Sequence, residues 1–302
     1  MSNSDDLPVA IHPGMVRTGT STLQKRVLAR HPEIAFFGLP APAPDIEAAV
    51  RAISNDDSTR YDQAAVRSVL RRLDTEPSAK IGVLSHENLA LFEARDKGQA
   101  AARLKALFPE ARVFFTIRRQ EDLVVSWYLN KLRNLIKRSA YVPFEEWFWV
   151  GAREPHATIL DDLAYGPVID RYAELFGRQN IGIFLFEDLK EDARRYSDAL
   201  ASFLSVDAET FAALMADARD NASMTQSYMD FWRWFGRLVP RRMTRELARK
   251  WPNKPGPKAR ISLADDIAAD IRARCAEDNR RLEARYGLSL TRHGYSVASS
   301  VN

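Results

Sequence analysis

Four short apolar runs, at residues 8–12, 80–84, 112–117 and 180–186, alternate with long stretches of helical spacing, and this alternation limits the folds open to the chain. Val113-Phe114-Phe115-Thr116-Ile117 is the most β-prone of them. Strands separated by helices pair in parallel, because the intervening helix carries the chain back to the end of the sheet where it began. The expected fold is therefore α/β, with a mainly parallel central sheet flanked by helices. The 302 residues are read as a single domain, 1–302, large enough to bury a substantial core. Two regions interrupt the alternation. Residues 36–60 are rich in Pro, Ala and Asp and are expected to form a surface excursion with one short helix. Residues 138–164 carry Tyr141, Phe144, Trp147, Phe148 and Trp149 without a clear period, which reads as packing or as the wall or lid of an acceptor site.

The first apolar run leads into Gly14-Met-Val-Arg-Thr-Gly-Thr-Ser-Thr22, after which Leu23, Val27 and Leu28 have helical spacing. A tight glycine loop at a helix N-terminus gathers unpaired backbone N–H groups and the positive end of the helix dipole on one point. Such a junction holds an anion, and the hydroxyls of Thr18, Thr20, Ser21 and Thr22 are expected to add donors. Gly14 and Gly19 keep the spacing of the nucleotide-triphosphatase loop G-x-x-x-x-G-K-[ST], but Thr20 stands where its lysine belongs. The cation lies two residues before the second glycine, at Arg17.

A second element follows the third run. Arg118 ends that run, and Asp122 and Ser126 come four and eight residues later at the start of a helical pattern. A guanidinium binds a phosphate dianion through two parallel hydrogen bonds, and a serine hydroxyl on the next helix adds another. Arg17-Thr18-Gly19-Thr20-Ser21 resembles the 5′-phosphosulfate loop of the sulfotransferases, and Arg118, Asp122 and Ser126 resemble the 3′-phosphate clamp of that family. The segments 165–207 and 276–295 are similar to the family's later helix, core strand and closing tail, so the resemblance spans most of 8–295.

The resemblance implies 3′-phosphoadenosine 5′-phosphosulfate as co-substrate and no metal. It places Arg17 at the bridging oxygen of the donor, as an electrostatic stabiliser, since an arginine is a poor proton donor. Ligands of open parallel sheets sit beyond the C-terminal strand ends, and Ser85, His86 and Glu87 end the second run. Glu87, then His86, is the expected general base; a family base after His31-Pro32-Glu33 does not carry over, because Gly38-Leu39 occupies its place. His12 is expected as a strand residue beside the loop, and His31 at the end of the first helix.

Residues 226–260 hold ten Lys/Arg against two Asp/Glu, a local net charge of about +8 in a chain whose total is +4. That asymmetry points to an anionic partner. Three readings stand: a loop closing over the donor, with Lys258 and Arg260 as contacts; a surface docking a lipid or polyanion, which includes peripheral membrane contact; and a solvated helix pair. No motif for nucleic acid accompanies the charge. The acceptor expected is a hydroxyl or amine of a small molecule, sugar or lipid. A P-loop kinase and a non-catalytic bisphosphonucleotide-binding relative are the alternatives; the missing lysine after Gly19 and the lack of an evident magnesium-binding Asp motif weigh against the kinase. There is no 18-residue apolar run, the start MSNSDDLP lacks an export signal, and Cys275 is the sole cysteine, filling a helix face, so a reducing cytoplasm is the expected setting.

Overall fold

The computed structural model describes residues 7–38, 44–71, 78–90, 96–137, 141–154, 158–217 and 224–299. Five strands form one sheet: β1 (Val9–His12), β2 (Ile34–Phe36), β3 (Ile81–Ser85), β4 (Arg112–Ile117) and β5 (Ile181–Leu185). All neighbours are parallel, in the order β2-β3-β1-β4-β5. The four expected strands are these, shifted by a residue or two. β2 is an addition, a three-residue edge strand that pairs Ile34 with Ile81.

The helices are α1 (Thr20–Thr22), which continues as a π-helical stretch Leu23–Leu28, then α2 (Pro44–Asn55), α3 (Gln63–Leu70), α4 (Lys97–Leu107), α5 (Gln120–Lys137), α6 (Phe144–Arg153), α7 (Gly166–Phe176), α8 (Phe186–Glu191), α9 (Ala193–Leu204), α10 (Ala208–Ala216), α11 (Gln226–Phe235), α12 (Arg241–Lys250) and α13 (Asp265–Tyr286). Successive strand residues point to opposite faces, and both faces are covered. Ile11, Leu84, Phe115 and Ile117 pack with α2, α3, α4 and α7 on one side. Ala10, Val83 and Phe114 pack with the π-helical stretch, α9 and α10 on the other. A third cluster joins α5, α6, α11 and α13 around Val124, Phe148, Trp232, Ile271 and Cys275. Each large side chain removed from water there contributes roughly 1.5–3 kcal/mol.

One expectation is corrected, and between two open readings the packing one holds for two residues. Residues 44–55 are not a surface excursion, because Ile46, Ala49, Val50 and Ile53 share one helical face and are buried in the main core. Within 138–164, α6 buries Phe144 and Phe148, so those two aromatics are packing; residues 39–43, 138–140 and 155–157 lie outside the described residues. From β1 the chain builds β2 and β3 on one side and then crosses to β4 and β5 on the other. The strand order reverses beside the C-terminal end of β1, which opens the crevice where ligands of such sheets bind. Among the described residues, no helix is long and apolar enough to cross a membrane.

Candidate functional site

Residues 13–19 turn the chain from β1 into α1, and two of them have positive φ: Arg17 at 61° and Gly19 at 86°. A side chain at Gly19 would be strained, and its Cβ would lie 3.1 Å from the Phe186 ring. For Arg17 the left-handed angle costs about 1–2 kcal/mol. Contacts from α5 and its approach offset that cost: Arg17 Nε donates to Ser126 Oγ at 3.0 Å, and Arg118 Nη1 donates to the Arg17 carbonyl at 3.0 Å. The two segments, about a hundred residues apart in sequence, thus meet through direct hydrogen bonds.

The loop hydroxyls divide. Thr18 and Thr20 are buried, and both Oγ1 atoms donate to the Met15 carbonyl at 2.8 Å. The expectation that these two hydroxyls face an anion is therefore corrected, since their protons shape the loop from inside. Gly19, Thr20 and Ser21 keep backbone N–H groups without an intrahelical partner, because the first helical bond begins only with Thr22 N to Gly19 O at 3.0 Å. Ser21 is exposed and Thr22 half-buried.

Behind the loop runs a buried polar chain. Gln24 Nε2 lies 3.0 Å from Ser85 Oγ, Ser85 Oγ 2.8 Å from His12 Nδ1, His12 Nε2 3.2 Å from Thr116 Oγ1, and Thr116 Oγ1 2.7 Å from Thr18 Oγ1. Thr18 gives its proton to Met15, so each earlier member must donate to the next, which assigns His12 the Nε2–H tautomer. His12 is fully buried, stacks on Phe114 at 4.4 Å, and burial pushes its pKa down to about 3, so it is neutral. It braces the loop from the strand side. His31 likewise is structural: it is buried, accepts from Glu33 N through Nδ1 at 3.2 Å and sets Nε2 3.1 Å from the Asp207 carbonyl.

Positive charge collects in front of the loop. Burial, then the neighbouring Arg118 and Arg133, lower the pKa of Arg17, while Glu87 raises it. Arg118 is likewise lowered by burial and held up by Asp122 and Glu187. Its guanidinium lies 4.9 Å from the centre of the Phe186 ring, and Lys190 Nζ lies 4.7 Å from the same ring. Burial, then Arg118, lowers the Lys190 pKa, and Lys258 lowers it further, so the charge of Lys258 reaches this cluster. Arg260 is exposed and is held through its backbone N–H to Gln226 Oε1 at 2.9 Å. Asp122 accepts from Arg119 Nη2 at 3.1 Å. Arg118 Nε is buried with no hydrogen-bond partner among the described residues. A buried Arg118 whose charge depresses both Arg17 and Lys190, beside an Nε with no partner among the described residues, suits an anion.

The two base candidates separate. Glu87 is half-buried, its Cγ 3.5 Å from where a Cβ of Gly14 would stand, and its charge acts on Arg17. His86 is buried, its pKa is pushed down to about 4 by burial, and the charges that act on it are Arg51 and Glu47 of α2. His86 thus faces α2, and Glu87 borders the loop. Sequence reasoning missed Arg133, Lys190 and Phe186. Lys190 follows Phe186 by one helical turn on α8, and nothing local in the sequence marks that turn. The chain end braces α8: Tyr295 Oη donates to Glu187 Oε2 at 2.8 Å, His293 Nε2 lies 2.7 Å from Asp188 Oδ1, and Arg292 pairs with Glu191.

No family model matches the sequence, and no curated protein does. Solved structures do match. A sulfotransferase from Alicyclobacillus acidocaldarius aligns over 95% of this chain and 98% of its own, with a TM-score of 0.59 and 17% identity. The chain has a sulfotransferase fold. The sulfotransferase domain of the curacin biosynthetic pathway aligns over 81% of this chain and 97% of its own, at TM-score 0.44 and 15% identity. A mouse sulfotransferase complexed with PAP aligns over 74% of this chain and 69% of its own, at TM-score 0.41 and 14% identity.

Proposed function

We propose that this chain, as a single domain, transfers a sulfuryl group from 3′-phosphoadenosine 5′-phosphosulfate to a hydroxyl or amine of a small-molecule, sugar or lipid acceptor. The observation that carries the reading is the convergence of the Arg17 loop with Arg118 and Ser126 through two 3.0 Å hydrogen bonds. The residues fit a nucleotide bearing two separate phosphates. Arg118 Nε, buried and without a hydrogen-bond partner among the described residues, supplies a donor for one, and the N–H groups of Gly19, Thr20 and Ser21 at the helix start supply donors for the other.

In this reading Arg118 and Ser126 hold the 3′-phosphate, with Lys190 and Lys258 adding charge, while Asp122, bound to Arg119, acts on Arg118 only through its charge. The loop N–H groups hold the 5′-phosphate. The donor supplies an activated S–O bond; as it breaks, negative charge develops on the 5′-phosphate oxygen, and Arg17 stabilises it. The new bond forms in line between sulfur and the acceptor atom, whose proton passes to the Glu87 carboxylate. No step is assigned to a metal ion. In this reading the acceptor would be met by the described parts of the segments 138–164 and 226–260. The test incubates the protein with isotopically labelled donor and a metabolite extract and seeks sulfated products by mass spectrometry. Products made by the wild type and absent with Arg17→Ala support the reading; tight nucleotide binding with no sulfated product favours a non-catalytic binder.

A further inference from the structure

The exposed large apolar side chains among the described residues are Val150, Trp234, Phe235, Leu238, Met243 and Trp251, and five of the six lie between 234 and 251. Leu238 is 79% exposed and Trp234 70%. Val150 borders the same patch, since it lies one turn along α6 from Glu146, whose carboxylate is 3.6 Å from Arg237. The patch is an ordered platform. Phe231 stacks on Trp251 with ring centres 5.2 Å apart and planes 7° apart, and it meets Phe235 at 5.4 Å. The chain beyond it is clasped back by Gln226 N to Pro257 O at 2.8 Å and Ala259 N to Met224 O at 2.8 Å.

Cations surround the platform. On α12 the buried Thr244 and half-buried Leu247 and Ala248 face the protein, which leaves Arg242, Arg245, Arg249 and Lys250 on the outer side with Met243. Arg233 and Arg237 extend this face onto α11 and the following turn, where Asp230 lies 3.3 Å from Arg233 and Glu146 3.6 Å from Arg237; Glu246, 3.4 Å from Arg249, is the single acid from 231 to 254, and Arg242, Arg245 and Lys250 carry the excess charge. Five large apolar side chains exposed within eighteen residues, three aromatic rings of the segment in mutual contact, call for an occupant. A second copy of the chain would bring two cationic faces together, which opposes association. Nucleic acid would neutralise the arginines but leave Leu238 and Met243 in water. An occupant that is anionic at its surface and apolar beneath satisfies both halves: arginines at headgroup phosphates, tryptophans at the interface, Leu238 and Met243 among the acyl chains.

We propose that the corner formed by α11 and α12 docks on the surface of a bilayer containing anionic phospholipids. Because Lys258 follows Trp251 within the same clasped segment, docking holds the cationic crevice close to the membrane. The proposal stands on this patch and is independent of the transfer chemistry.

Flotation of the full chain with vesicles of phosphatidylcholine alone, or mixed with phosphatidylserine, tests it. The wild type should float with the mixed vesicles, stay behind with phosphatidylcholine alone, and lose binding as salt is raised. Trp234→Ser combined with Leu238→Glu should weaken partitioning at least about tenfold. Arg245→Glu, on the outer side of α12 and so without a packing role, should weaken it by about fivefold or more. Thermal melts and nucleotide titrations of the variants check that the fold is intact. Failure of the wild type to float, or unchanged flotation by the Trp234/Leu238 variant, overturns the proposal. So does a light-scattering mass twice that of one chain that falls to one chain with Leu238→Glu, without vesicle binding, since the occupant would then be a second copy.

Discussion

Replacing Arg118 with alanine separates the two phosphate subsites. Arg118 has a buried Nε with no hydrogen-bond partner among the described residues, Nη1 on the Arg17 carbonyl at 3.0 Å, and its guanidinium over the Phe186 ring. A charge-assisted hydrogen bond is worth about 1.5–3 kcal/mol, so loss of the guanidinium should weaken adenosine 3′,5′-bisphosphate by about 3 kcal/mol, roughly 150-fold. Adenosine 5′-monophosphate lacks the 3′-phosphate. It should respond only to the loosened loop, where one hydrogen bond of about 1 kcal/mol is lost, less than tenfold. Calorimetric titration of wild type and Arg118→Ala with both nucleotides reads the difference directly. Arg118→Lys should fall between them for the bisphosphate, because it restores the charge without the planar fork. Equal losses for the two nucleotides would refute the clamp.

Arg17→Ala should lower kcat more than it weakens donor binding, because the charge that Arg17 meets develops mainly in the transition state; steady-state kinetics beside a binding titration would show it. Glu87→Gln should lower kcat by about a hundredfold or more, the usual worth of a positioned base, whereas His86→Gln should change kcat much less and act mainly on the melting temperature. Burial holds the His12 pKa at about 3, against 6.5 in an unfolded chain. Between those values the unfolded state binds the additional proton. The contribution of His12 is therefore complete above pH 6.5 and declines on acidification by up to about 1.4 kcal/mol per pH unit. Urea denaturation across that range should show this slope, flattened in His12→Gln; identical slopes would show that His12 is not held neutral.

What could be read from the sequence was what is local. Gly19 needs its glycine because of its own φ and the Phe186 ring against it, and the strand-to-helix junction around it is announced by hydroxyls and spacing within a dozen residues. Arg118, Asp122 and Ser126 stood out through the family resemblance of their spacing, four and eight residues apart after one strand. Strand β2 was not legible, because three residues, Ile34 to Phe36, give too little pattern for a period. The burial of α2 was obscured by the prolines before it, although Ile46, Ala49, Val50 and Ile53 carry the spacing. The direction in which a hydroxyl points is not in the sequence at all: Thr18 and Thr20 turn inward because the Met15 carbonyl and Thr116 are there to meet them. Lys190 and Arg133 joined the site only through tertiary placement, one against Phe186 and the other within the field of Arg17.

The central claim, a two-phosphate nucleotide site built on Arg17 and Arg118, is tested most directly by calorimetry of the wild type with adenosine 3′,5′-bisphosphate and, in parallel, with ATP and magnesium. The account predicts one-to-one binding of the bisphosphate, unaffected by a chelator, and much weaker binding of ATP. Tight, magnesium-dependent binding of ATP with none of the bisphosphate would contradict it and return the loop to the kinases.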